Sequence, residues 1–472
     1  MISISDFSNI ERVFHYFEII SKIPHGSGNT GKIADYLTRF SNEHGLFVFR
    51  DESDNILIRK PATAGYEDRP TVIIQGHTDM VAEKTADSQR NMETEGVEIY
   101  RDGDFLKAKD STLGGDDGIA IAYALAILES SDIPHPSLEV LLTSDEEIGL
   151  LGAQAFDKSM LKGRTLINID SDEEGIFTAG CAGGVRTDIE LKVSRKAAKG
   201  SKYKLTVTGL QGGHSGMEIG KGRANAIKLG FRALAALPEI KLCSATGGNM
   251  DNAIPREFTA EFISDADISG AFDGIYAAIM TEYAGLEPDM VIDVSPAEFD
   301  TLPITKKDTI KILDIANSIP FGPIAMNAEL PELVETSLNT GIVRLDKVFR
   351  LCTSIRSSVE REKEKLALLL SDIASRSGAE FSTRGSYPGW AYKKDSPLRD
   401  ACVSVYERLY GKAEVVTIHA GLECGLFSDA IEGLDCISFG PNNYDIHTTE
   451  ERLSISSSAR VYAFLLELLK EI

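Results

Sequence analysis

Positive charge is in short supply in this chain. Its 49 Lys and Arg stand against 72 Asp and Glu, a formal net charge of −23, with no lysine-rich patch or basic–aromatic interleaving to offset it. That balance excludes nucleic acid as a partner and chiefly favours solubility. Cysteine is sparse and scattered, at positions 181, 243, 352, 402, 424 and 436, with no Cys-x-x-Cys pair. The spacing suits neither a disulfide framework nor a thiolate metal site, and it predicts reduced, mostly buried thiols in a cytoplasmic protein. Long apolar runs are missing: no stretch approaches the ~20 apolar residues of a membrane helix. Met1-Ile2-Ser3-Ile4-Ser5-Asp6 lacks the basic region and apolar run of a secretory signal, so no membrane partner is expected. Internal repeats and low-complexity linkers do not stand out either. Histidine is scarce, eight in 472 residues, so one that stands in a polar loop carries weight.

What is present is a set of short polar motifs: Gly76-His77-Thr78-Asp79-Met80, Leu113-Gly114-Gly115-Asp116-Asp117-Gly118, Ser144-Asp145-Glu146-Glu147-Ile148-Gly149 and Asn168-Ile169-Asp170-Ser171-Asp172, with His447 standing alone near the C-terminus. Two imidazoles, three carboxylates and a spare glutamate beside a ligand glutamate are what a two-metal hydrolytic site requires. The settings support it. Thr71 to Gln75, Leu138 to Thr143 and Thr165 to Ile169 read as buried strands, each delivering a motif at its end. Open α/β sheets gather ligands at the carboxyl ends of their strands, so these motifs should converge on one crevice. Asp116 and Asp117 precede Ile119 to Leu128, which reads as a helix. Taken alone, an Asp-Asp-Gly there is an N-cap with first-turn charge, and a Glu-Glu pair after a strand is a solvated loop. Together, and beside two histidines with no apolar face to fill, they read as a metal centre.

The order His-x-Asp, Gly-Gly-Asp-Asp-Gly, Glu-Glu-x-Gly, Asp-Ser-Asp-Glu-Glu-Gly and a late His resembles the co-catalytic zinc peptidases that include carnosinases, aminoacylases and carboxypeptidase G. Within them the chain is most similar to the bacterial aminoacyl-histidine dipeptidases, also called cytosolic non-specific or Xaa-His dipeptidases. Ala179-Gly180-Cys181-Ala182-Gly183-Gly184, Gly212-Gly213-His214-Ser215-Gly216, Asn252-Ala253-Ile254-Pro255-Arg256-Glu257 and His419-Ala420-Gly421-Leu422-Glu423-Cys424-Gly425 carry the narrower likeness, which runs over essentially the whole chain. The resemblance implies that Asp116 bridges two divalent ions, zinc first, with manganese or cobalt as substitutes. One ion would add His77 and Asp170, the other Glu147 and His447. Glu146 would be the general base acting on a metal-bridged water, and Asp79 the partner that orients His77. Relatives carry Gly or a small residue before the last His, where this chain has Ile446. His447 is preferred over His419 because Thr-Glu-Glu-Arg and Ser454-Ile455 follow it as in the family.

At about 150 residues per domain the length suggests two or three domains. Residues 11 to 20 and 30 to 41 read as amphipathic helices. Beyond the strand at 165 to 169 the pattern changes: 187 to 193 and 201 to 209 alternate as half-buried strands, Asn225 to Leu237 reads as a helix, and a strand, helix and strand follow at 257 to 264, 268 to 284 and 289 to 294. The expected fold is α/β, a zinc-exopeptidase-like catalytic domain with a central mixed sheet, built from 1–186 and 384–472. An α+β lid and dimerisation domain, 187–383, would be inserted into it, the run Arg384 to Trp390 being the return crossing. By resemblance the lid would mediate a homodimer, His214 would stabilise the tetrahedral oxyanion, and Asn252 and Arg356 would reach the substrate. Arg356 can clamp a free carboxylate through two parallel donors. His419, beside Glu423 and two glycines, is a further candidate for substrate contact. The activity so implied is hydrolysis of dipeptides, Xaa-His included. A tripeptide aminopeptidase or N-acyl amino acid deacylase is the alternative within the wider family. A non-catalytic relative would be expected to lack Glu146 or several ligands, and all are present.

Overall fold

The computed structural model describes residues 10–327 and 331–472, so Met1 to Asp6, inspected above for a targeting signal, lie outside it. The described residues form two compact units. The first runs through Cys181 and takes up Trp390–Thr417 and Leu422–Ile472; the second comprises Ala182–Gly389 and Ile418–Gly421.

Among the described residues, an eight-stranded sheet centres the first unit, in the order Phe47–Arg50, Ile56–Lys60, Leu138–Thr143, Val72–His77, Thr165–Asn168, Asp435–Ser438, Ile176–Cys181 and Glu414–Ile418. Its middle is parallel: Val72–His77 pairs in parallel with Leu138–Thr143 and with Thr165–Asn168, which pairs in parallel with Asp435–Ser438. Phe47–Arg50 with Ile56–Lys60, Ile56–Lys60 with Leu138–Thr143, and Asp435–Ser438 with Ile176–Cys181 pair antiparallel, making the mixed sheet of an α/β fold. Every residue of Val72–His77 and Leu138–Thr143 is buried, the expected character of strands covered on both faces. Helix Gly31–Glu43 turns Ile33, Ala34, Leu37 and Phe40 inward at helical spacing. Helix Gly115–Glu129 differs: Ile119 to Leu128 are all buried, because it packs on both Glu11–Ser21 and the strand Val72–His77. A helix enclosed on all sides needs no polar face, which is why its sequence shows no amphipathic period.

The second unit is a nine-stranded, largely antiparallel sheet with helices Ala226–Ala236, Lys306–Ser318 and Glu360–Ser377 packed against its strands. In Gly183–Lys192 the buried Val185, Thr187, Ile189 and Leu191 alternate with half-exposed neighbours, the period of a strand with one covered face. Asn225 caps the first of these helices, its side chain accepting from the N–H groups of Ile227 and Lys228 at 3.0 and 3.2 Å.

The unit boundaries differ from the expected 187 and 383. Gly183–Lys192 pairs along its whole length with Val348–Ser357, and Gly184 pairs with Tyr387 on its other side, so a cut at 187 or 383 would sever a continuous ladder. The short return at Ile418–Gly421 was also unforeseen. No helix among the described residues is long and apolar enough to cross a membrane.

Candidate metal centre and active site

His77 is the last residue of its strand and not, as the sequence suggested, a residue past its end. Its register partner is Thr143, and Gln75 pairs with Asn168, so the segments bearing Glu146, Glu147 and Asp170 leave the sheet alongside it. Gly76 is required here. A Cβ at that position would lie 2.4 Å from Asp117 Oδ2 and 2.6 Å from Ala120 Cβ, and this close approach lets Asp117 Oδ2 accept from the His77 N–H at 3.1 Å.

The adjacent aspartates divide two jobs that the sequence could not separate. The backbone is non-helical at both, and Asp117 turns to the helical run that follows, its Oδ1 accepting from Ala120 N at 3.4 Å. Asp116 turns outward instead: its Oδ1 lies 2.9 Å from His77 Nε2 and its Oδ2 3.2 Å from His447 Nε2. Asp170 Oδ1 stands 3.6 Å from the same His77 nitrogen, and Glu147 Oε1 2.8 Å from His447 Nε2. Two groups of donors therefore share Asp116, one adding His77 and Asp170 and the other His447 and Glu147, all atoms within a group lying within 4.8 Å of one another. Glu146 joins a third such group with His77 and Glu147, to which neither Asp116 nor His447 belongs.

Asp79 does more than orient an imidazole. His77 Nδ1 is 2.9 Å from the carbonyl of Asp79 and 3.4 Å from its Oδ1. The carboxylate meanwhile accepts from the N–H of Glu146 at 2.9 Å, that of Glu147 at 3.3 Å and the hydroxyl of Ser27 at 2.8 Å. The glutamate pair thus sits in a turn gathered by Asp79. Ser27 was not picked out from the sequence, although its Gly26-Ser27-Gly28 setting marks a tight loop. His447 has φ of +61° and Asp445 +52°, while Ile446 is outside the left-handed region, which is why a bulky residue is tolerated there.

The cluster draws positive charge. Against the cost of desolvation, hydrogen bonds with Asp116, Asp170 and Asp79 raise the His77 imidazole well above its ordinary range. Hydrogen bonds with Asp116 and Glu147 carry His447 up to about 10. Desolvation pushes Asp170 up to about 6 and Glu146 well above the usual carboxylate range. Imidazolium protons here stand where divalent cations would go. Glu147 Oε1, buried and facing only the His447 ring, is a ligand atom that such a cation would satisfy. The mixed imidazole and carboxylate donors fit zinc.

A proton-linked uptake follows. The carboxylates around them favour the protonated form of both histidines, which must be neutral to ligate, so protons compete with the ions and affinity should rise with pH. Calorimetry of metal loading at pH 7 in buffers of different ionisation enthalpy should register net proton release. Loading without proton release would contradict these raised values.

In the second unit, Gly213–His214 pairs with Ala253–Ile254, and the carbonyl of Asn252 accepts from Ser215 N at 2.8 Å. His214 Nδ1 accepts from the N–H groups of Gly216 and Met217 at 3.3 and 3.1 Å, which leaves the proton on Nε2. Burial, then the nearby Arg356, lower its pKa, so the ring is a neutral donor. Arg356 is buried; its Nη1 reaches Tyr387 OH at 3.3 Å while Nε has no partner. His419 is engaged already, Nε2 lying 2.7 Å from Ser337 Oγ and the ring meeting the Val334 carbonyl. Burial pushes its pKa down to about 3.

Residues 73–471 match the model of peptidase family M20/M25/M40. The chain belongs to that family. It is 38% identical over 467 residues to the cytosol non-specific dipeptidase of Escherichia coli, covering 97% of this chain and 96% of that protein. The structure superposes on the crystal structure of aminoacylhistidine dipeptidase from Vibrio alginolyticus with a TM-score of 0.93 and 34% identity, covering 100% and 98% of the two chains. An aminopeptidase of Bacillus cereus, at 14% identity, TM-score 0.58 and 98% coverage of both chains, shares the fold. The Asp116-centred groups thus sit in a member of a peptidase family whose fold, a mixed-sheet unit with a second unit inserted, is shared along the whole chain.

Proposed function

We propose that the protein is a metal-dependent dipeptidase, with Xaa-His among its substrates, acting in the cytoplasm. The observation that carries the reading is Asp116, whose two oxygens face two different histidines, each with a second carboxylate beside it. Near-full-length likeness to a dipeptidase supports the substrate class. His77, Asp116 and Asp170 would hold one ion and Asp116, Glu147 and His447 the other. A divalent pair, zinc foremost with manganese or cobalt able to substitute, supplies Lewis acidity and acidifies water toward hydroxide near neutral pH. The chain's own groups do the rest. Glu146, desolvated and therefore basic for a carboxylate, takes the proton of the attacking water and delivers it to the leaving amine. Asp79 keeps that glutamate in place through its backbone N–H.

The second unit's polar groups match a short peptide. The His214 Nε2–H suits the oxyanion of the tetrahedral adduct. Asn252, on the strand turn paired to the His214 loop, and His419, held by Ser337, contribute to substrate binding. Arg356 would take the terminal carboxylate on its unpaired Nε side. Arg356→Ala should therefore depress kcat/KM on free dipeptides at least ~10-fold more than on their C-terminal amides, with Lys rescuing only partly. Equal losses on acid and amide would assign Arg356 to structure. The activity itself is tested by a panel of Xaa-His and other dipeptides, tripeptides and N-acyl amino acids on metal-loaded protein. Preference for the last two classes would reject the dipeptidase reading. We also infer a homodimer formed through the second unit, which light scattering measures directly.

A further inference from the structure

Glu451 is the most heavily hydrogen-bonded carboxylate near the centre, and none of the roles above uses it. Buried, it accepts from four successive backbone N–H groups: Leu113 and Gly114 on Oε2 at 2.7 and 3.0 Å, Gly115 and Asp116 on Oε1 at 2.8 and 3.4 Å. Asn443 Nδ2 adds a fifth bond at 3.3 Å. Consecutive N–H groups turned to one point form a concave anion seat, and here the anion comes from the chain itself. The glycine pair makes the seat possible. Gly114 has φ of +73°, and a Cβ on Gly115 would lie 2.9 Å from Asn443 Nδ2.

The carboxylate also ties together two distant parts of the chain. Asn443 and Tyr444 pair with Leu453 and Arg452, closing a hairpin whose loop carries both His447 and Glu451. Within it Asp445 is fastened by an ion pair to Arg452 and by the hydroxyl of Thr448 on its carbonyl at 2.7 Å. The loop presenting His447 and the loop presenting Asp116 are thus joined through one side chain. We propose that Glu451 is a positioning residue that preorganises Asp116 as the shared ligand and locks the His447 loop to it, so that two divalent ions are held together. This rests on the ligand set proposed above.

The test is a chelator-competition titration of zinc on the full-length wild type, Glu451→Gln and Glu139→Gln. Glu139 is a buried control: it accepts from the N–H groups of Lys162 and Gly163 at 2.8 and 3.0 Å and pairs with Arg59 at 2.9 Å. Glu451→Gln should weaken both ions by ~10-fold or more, as loss of a partner behind a ligand does. Glu139→Gln, though destabilised, should bind both ions as the wild type does. Unchanged affinities in Glu451→Gln, or loss of one ion only, would overturn the proposal. A wild type that binds fewer than two ions would instead reject the ligand set. Hydrogen exchange on metal-free wild type decides the positioning role independently, including where Glu451→Gln fails to fold: the amides of Leu113, Gly114 and Gly115 should exchange slowly, and exchange at the rate of unstructured peptide would overturn it.

Discussion

Glu146→Gln should bind both ions within a few-fold of the wild type and yet turn over dipeptides at least ~10²-fold more slowly, the lower end for loss of a general base. That factor corresponds to about 2.7 kcal/mol of barrier. Glutamine keeps the shape and the backbone bond to Asp79 but has no site for the proton. The desolvation that raises Glu146 suits the role, since a carboxylate with an ordinary pKa is a weak base near neutrality. Glu147→Ala should behave differently, losing metal along with activity, because its Oε1 stands 2.8 Å from His447. Steady-state rates measured beside elemental analysis separate the two. Near-normal turnover in Glu146→Gln, or the reverse pattern, would show that the adjacent glutamates are assigned wrongly.

Asp116→Ala should cost more, removing both ions together and activity with them, whereas His447→Ala should retain the ion shared by His77 and Asp170. The asymmetry follows from membership: Asp116 belongs to both donor groups and His447 to one. Removing Asp116 also leaves two imidazoles and two ligand carboxylates, Asp170 and Glu147, with no shared anion between them. Elemental analysis after zinc loading and desalting checks it. One tightly held ion in Asp116→Ala would mean that the two groups bind independently.

The sequence exposed those parts of the site that lie at strand ends, because a buried β-branched run followed by a polar motif reports both the strand and what it delivers. His77, Glu146, Glu147 and Asp170 were legible in this way, and helix Gly31–Glu43 was legible from its apolar period. The division between Asp116 and Asp117 was not, since both satisfy the statistics of a helix start and only the non-helical backbone at the two aspartates turns one carboxylate to the helix and the other to the histidines. Glu451 was hidden for another reason. Its partners are backbone N–H groups more than 330 positions away, which leave no side-chain signature at the other end. The return at Ile418–Gly421 is too short to show a period, so its membership of the second unit, and the engagement of His419 with Ser337, emerged only in three dimensions.

The proposed centre depends on one carboxylate joining two ions. Anomalous diffraction at the zinc edge from crystals of the zinc-loaded protein tests this directly. Two peaks should appear, one among His77, Asp116 and Asp170 and the other among Asp116, Glu147 and His447, with Asp116 ligating both. A single peak, or two peaks of which one lies away from Asp116, would contradict the shared-ligand centre.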